Sequence, residues 1–125
     1  MEFQWVKGST TNPAITIYAN NITLNNAAAK YMENSRYCLL GIDSNSGCIA
    51  IKPITKRDID LNLYDPTNLN KISMGKGYAR ISNKTFIDEI NKALDYNTIG
   101  LKFEARYSNK EEMLIVDLKK GEMSV

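Results

Sequence analysis

The side chains that usually do chemistry are sparse in this sequence. Histidine is absent, cysteine occurs twice, and the adjoining carboxylates are the pairs Asp88-Glu89 and Glu111-Glu112. Acid/base catalysis near neutral pH relies most often on histidine. A cysteine nucleophile needs a base beside it, and a metal site needs clustered His, Cys or carboxylates. Cys38 and Cys48 sit in the apolar runs Tyr37-Cys38-Leu39-Leu40 and Cys48-Ile49-Ala50-Ile51. Such settings predict buried free thiols, because reactive ones need an electropositive, partly open environment. Asp88 and Glu89 suit the electropositive start of a helix. Gly75-Lys76-Gly77 lacks the spacing of a phosphate loop and reads as a hairpin turn. These residues predict a protein that is not an enzyme, with no catalytic residue, no metal and no small-molecule cofactor.

The basic residues have more reach. Between Pro66 and Ile87 stand Lys71, Lys76, Arg80 and Lys84, with no acidic residue among them. Arg80 lies between Ala79 and Ile81 on a period-two pattern, so it should point away from the face that buries them. Lys76 falls in the turn and Lys84 in the first turn of a helix. Cations converging near one edge can hold phosphates, each neutralised phosphate adding a salt-dependent increment. The competing reading is an ordinary solvated surface. A shorter cluster, Lys52, Lys56 and Arg57, is followed at once by Asp58 and Asp60, and a net charge of +2 is weak evidence for any partner.

The elements that must position these residues follow from periodicity and turn chemistry. Phe3 to Val6 alternates weakly, predicting an edge strand anchored by Trp5; residues 8–13 are turn chemistry. Ile15 to Tyr18 and Ile22 to Leu24 predict a hairpin, with Asn20 and Asn21 supplying positive φ. Asn25 or Asn26 caps a short helix over residues 27–32. Tyr37 to Asp43 and Cys48 to Ile54 predict a second hairpin, turning at residues 44–47. Residues 55–71 read as a connector with one capped turn at Thr55 and Asp58. The pattern then returns. Ile72 to Met74 and Tyr78 to Ile81 flank the Gly-Lys-Gly turn, and Ser82 or Asn83 caps a helix with Phe86, Ile87, Ile90 and Leu94 on its apolar face. Thr98 to Tyr107 and Met113 to Leu118 make a last hairpin, and residues 119–125 read as a frayed tail.

A length of 125 residues with 43% hydrophobic content fits one domain with an ordinary core. That domain, residues 1–125, would contain two degenerate hairpin–helix–hairpin copies, about 14–54 and 72–118, joined by the connector 55–71. Asn26 matches Asn83 at an offset of 57, and Ser44-Asn45 matches Ser108-Asn109 at an offset of 64. The difference predicts a second helix longer by about two turns. The amino terminus has no apolar signal core, and no apolar run approaches the ~20 residues of a membrane span. The expectation is a cytoplasmic protein without a membrane partner.

This pattern resembles the SpoVT/AbrB swapped-hairpin superfamily, and its tandem-copy arrangement is similar to the MraZ branch. The likeness lies in Ile15 to Ile54 and Ile72 to Leu118, and most of all in Gly75-Lys76-Gly77-Tyr78-Ala79-Arg80-Ile81. Asn25 and Ser82 stand where the family has proline. The resemblance implies an α+β fold in which two copies close one swapped-hairpin-like β-barrel carrying two short helices. It also implies a small transcriptional regulator that contacts the phosphates of duplex DNA through Lys71, Lys76, Arg80 and Lys84. The alternative is a protein-interaction module on the same scaffold, an accessory or mobile-element protein that binds a protein partner or forms a homodimer. The near-neutral charge, the lopsided copies and the aromatics Trp5, Tyr18 and Tyr64 favour that alternative. At the offset of 57, Lys76, Arg80 and Lys84 fall on Ala19, Thr23 and Ala27, so the first copy is neutral where the second is basic.

Overall fold

The computed structural model describes residues 1–5, 12–120 and 122–123. Its centre is a closed antiparallel barrel of eight strands. In chain order these are β1 (Ala14–Ile17), β2 (Asn21–Leu24), β3 (Tyr37–Asp43), β4 (Cys48–Ile54), β5 (Asn70–Gly75), β6 (Tyr78–Ser82), β7 (Leu101–Ser108) and β8 (Met113–Asp117). Around the barrel they run β1-β2-β6-β5-β3-β4-β8-β7, and β7 pairs with β1 to close it. A ninth short strand, β9 (Glu122–Met123), pairs with β7 at Leu101 and Lys102. Alternation explains the interior: Ile15, Ile17, Ile22, Leu24, Ile49, Ile51, Ile81, Phe103, Leu114 and Val116 are all buried, while their chain neighbours, Ala14 excepted, are half-buried or exposed. Strand side chains alternate between faces, and an eight-stranded barrel is just wide enough for side chains to fill it.

Three helices accompany the barrel: α1 (Asn26–Ala29), α2 (Lys56–Asp60) and α3 (Lys84–Leu94). α3 is longer than α1, eleven residues against four. α1 passes into a single 3-10 turn over Lys30–Met32 and buries Ala28, Ala29 and Met32. α3 buries Phe86, Ile87 and Ile90. Each cap resolves an open choice in the sequence. Asn25 Oδ1 accepts from the Ala28 N–H at 2.9 Å, and Asn83 Oδ1 accepts from the Phe86 N–H at 2.9 Å. Both asparagines also reach the start of their own hairpin. Asn25 accepts from the Ala14 N–H, and Asn83 Nδ2 donates to Asn70 Oδ1. The two capping asparagines are 58 residues apart, and β6 runs one residue longer than β2.

Several expectations are corrected. A third helix, α2, occupies the connector, closed by the capping box of Thr55 and Asp58. β5 begins at Asn70, inside the predicted connector, because Asn70 is held to the Cys38 and Asn68 carbonyls. Met1 to Trp5 forms no strand; Phe3 and Trp5 are exposed with no sheet edge to pair, while Val6 and turn residues 8–11 lie outside the described residues. Neither Asn20 nor Asn21 takes positive φ. The chain turns there over residues 18–20 without it, the Tyr18 N–H donating to the Asn21 carbonyl at 2.8 Å. β7 starts at Leu101, since Asn91 Oδ1 accepts from both the N–H and the hydroxyl of buried Thr98 and holds it out of the strand. The tail is tied down as far as β9: Leu118 is buried and its carbonyl accepts from the Tyr96 hydroxyl.

The two long hairpins turn alike. Asp43 pairs with Cys48 and Ser108 with Met113, so each hairpin has a four-residue loop, and the two loops lie 65 residues apart. In each the fourth loop residue has positive φ, Gly47 at 72° and Glu112 at 55°, and its N–H returns to the carbonyl of the last strand residue.

Closure is shared between the halves. β2 pairs only with β1 and β6, and β4 only with β3 and β8. Unpaired edges and bare apolar faces do not sustain a small sheet. Residues 1–62 and 63–125 expressed separately should each lack a cooperative melt by circular dichroism, and mixing them should restore one. Asn83→Ala should lower stability by about 1 kcal/mol in urea denaturation.

Candidate nucleic-acid interface

One outer face of the barrel is built from β1, β2, β6 and β5, and none of these strands contains an acidic residue. The inward side chains of these strands are the buried isoleucines, Leu24 and Ala79, which forces the residues between them outward. Those outward residues include Thr16, Asn21, Thr23, Lys71, Ser73, Tyr78, Arg80 and Ser82, all exposed or half-buried.

The predicted cations do not converge. They are strung along the β5–β6 hairpin. Lys76 stands in the two-residue turn, whose Gly77 takes φ +83°, a conformation glycine adopts without cost. Arg80 is four residues along β6, about 13 Å away at 3.3 Å per residue. Lys84 opens α3 beyond the far end of that strand, and its Nζ is paired with Asp88 Oδ2 at 3.0 Å. Lys71, on β5, lies toward the same far end and pairs with Tyr37 of β3. All four are exposed. Lys84 contributes least to the face, because Asp88 already partners it.

Sequence reasoning missed what holds Arg80. Its guanidinium lies over the Tyr78 ring, 5.6 Å from the centroid, within cation–π range. The ring in turn lies across Gly75, its cross-strand neighbour, in the space a Cβ would occupy. The signal was present as Gly-x-x-Tyr-x-Arg across a tight hairpin, but spacing alone does not tell a ring over a glycine from a ring in solvent.

The thiols differ. Cys38 is buried, and burial pushes its thiol up to about 12 from 9.0. Cys48, predicted buried, is half-buried on the outer face of β4, because the inward positions there belong to Ile49 and Ile51. Tyr64 is half-buried and Tyr18 exposed, so of the two only Tyr18 is free to meet a partner. An open groove of about 620 Å³ lies beside α3 and includes Leu39, Gly41, Lys52, Asn70, Phe86 and Met113. Its Asn70 and Asn83 amides are bonded to one another, and Lys52 Nζ donates to the Glu111 carbonyl. Among the described residues, no helix is long and apolar enough to cross a membrane.

Comparison with protein-family models, curated proteins and solved structures finds no match.

Two outcomes follow from this geometry. Gly75 has no positive φ, so Gly75→Ala acts through the ring: it should displace Tyr78 and abolish the ring-current shift of the Arg80 side-chain protons in NMR spectra, with the fold retained. For Cys38, the unfolded chain ionises near 9 while the folded chain stays protonated, so stability should fall as pH rises from 9 toward 12. The Cys38 contribution is at most about 1.4 kcal/mol per pH unit. Denaturation curves of Cys38→Ala should lack that component.

Proposed function

We propose that this chain is a cytoplasmic, non-enzymatic regulator that binds duplex DNA, built as one domain from two copies of a swapped-hairpin unit of SpoVT/AbrB type. The observation that carries the binding reading is the acid-free face of β1, β2, β6 and β5 with Lys71 and Arg80 on it and Lys76 at its tip. A sheet face with cations and hydroxyls and no carboxylate meets a phosphate backbone without like-charge repulsion. Both cysteines are free, which suits a reducing compartment.

The strand registers support the two-copy reading. Exchanging β1–β4 for β5–β8 leaves every neighbour relation around the barrel unchanged. Ile22 pairs with Ile81 and Leu24 with Ala79, which exchange at an offset of 57, and between them Thr23 pairs with Arg80, its own counterpart. On the opposite wall, Ile49–Val116 and Ile51–Leu114 exchange at an offset of 65, and Ala50 pairs with its own counterpart Ile115. An approximate twofold axis would pass through both places. The β3–β5 seam departs from it: Cys38 pairs with Asn70, two residues from the register that the β1–β7 seam implies. Asn25 and Asn83, each capping a helix and tying down its hairpin, support the same correspondence.

The interaction-module reading is favoured by the groove beside α3 and by exposed Leu61 and Leu63 in the connector. A titration against random-sequence duplex separates the two. Arg80→Ala should weaken binding to all sequences alike and lower the magnitude of the salt slope by roughly 0.9. Lys76→Ala should act in the same direction, and Lys30→Ala should change little. Absence of binding by the wild-type chain at low salt ends the DNA reading and leaves the interaction module.

A further inference from the structure

A twofold arrangement with cations on one copy alone would leave half of the interface neutral, so that a second chain would be needed for a full site. The registers give a different answer. Ser73 of β5 pairs with Arg80 of β6, Arg80 with Thr23 of β2, Thr23 with Thr16 of β1, and Thr16 with Lys102 of β7. These five residues form one row across five adjacent strands. Every one is exposed or half-buried, and each has a buried side chain beside it in its own strand. All five therefore point out of the barrel, in a row that follows its curve across five of the eight strands.

Arg80 and Lys102 are three strand steps apart, about 14 Å at 4.8 Å per step. Measured along the duplex axis that distance corresponds to about four base-pair steps at 3.4 Å each. Between the two cations lie only Thr23 and Thr16. Thr23 gives its proton to Asn21 Oδ1 at 3.0 Å, which leaves the Thr16 hydroxyl as a donor for an intervening phosphate. Lys102 belongs by sequence to the second half of the chain, yet β7 pairs with β1 and so delivers it to the side of the axis occupied by the first half. Two acidic residues border the row: Glu104 opposite Ala14, and Glu122 of β9, the register partner of Lys102.

The geometry points to Lys102 as the cation of the missing half-site: one chain holds one duplex segment along Ser73, Arg80, Thr23, Thr16 and Lys102, without a second copy. This rests on the DNA reading above and adds to it a residue and a stoichiometry.

The test uses the full chain and a short random-sequence duplex, with affinity measured by fluorescence anisotropy over a series of salt concentrations and stoichiometry by sedimentation. The expected stoichiometry is one chain per duplex segment. Lys102→Ala should lower the magnitude of the slope of log affinity against log salt by roughly 0.9, Lys102→Arg should keep it, and Glu104→Gln should tighten binding. Lys110→Ala, in the β7–β8 loop, should leave the slope unchanged, and thermal melts should show each variant folded. If Lys102→Ala leaves the slope intact while Arg80→Ala lowers it, the row is overturned and the DNA reading stands. Two chains on every bound duplex overturn the single-chain site. No binding by the wild-type chain at low salt overturns this inference together with the reading it rests on.

Discussion

Backbone pairing across the two halves is the constraint on which the rest depends. A strand edge left open presents a row of amides and carbonyls, and the apolar face behind it has nothing to cover it. In this chain the edges of β2 and β6 satisfy one another through four cross-strand pairs, and those of β4 and β8 do the same on the opposite wall. The seams β1–β7 and β3–β5 complete the ring. Once the ring is shut, the isoleucines of both halves share one interior. Truncating such a buried side chain, Ile81 for instance, costs about 2–5 kcal/mol because neighbours on both halves cannot collapse into the space. The helices are secondary to this closure: α1 and α3 each start from an asparagine that also fastens the hairpin before it.

Closure also sorts the surface. The strands that meet at the β2–β6 seam contribute hydroxyls, amides and cations to the outside, whereas the opposite wall presents Ala50, Met113 and Ile115, half-buried, with Asp43 and Asp117 at one end. A net charge of +2 does not show this local difference: β1, β2, β5 and β6 together carry cations without acids, while β7 alternates Lys102, Glu104 and Arg106. Position within the sheet matters more for a phosphate contact than the total. Arg80 sits beside the proposed axis with an aromatic ring beneath its guanidinium, and that support limits its rotamers. Lys84, though close in sequence, is engaged with Asp88 on a helix. A guanidinium held in place loses less entropy on meeting a phosphate than a free lysine does.

Period-two alternation, turn residues and asparagine caps were enough to find the eight barrel strands, the helices α1 and α3 and the capped turn at Thr55, because each is decided by neighbours within a few residues. Alternation also placed Arg80 outward, and the run of cations without acids was visible from composition alone. The rest depended on contacts between residues far apart in the chain. Phe3 to Trp5 alternates like a strand but finds no edge to pair with, while Asn70 joins β5 through bonds to the carbonyls of Cys38 and Asn68. Cys48 shares an apolar run with Ile49 and Ile51, yet its place in the pleat puts it outside. The chain's own letters set which residues alternate, turn and cap; only the closed sheet decided that Thr23 faces Arg80, that Tyr78 lies over Gly75, and that Lys102 joins their row. Lateral register is a property of paired strands, fixed by hydrogen bonds between distant residues, and no local pattern within one strand encodes its partner.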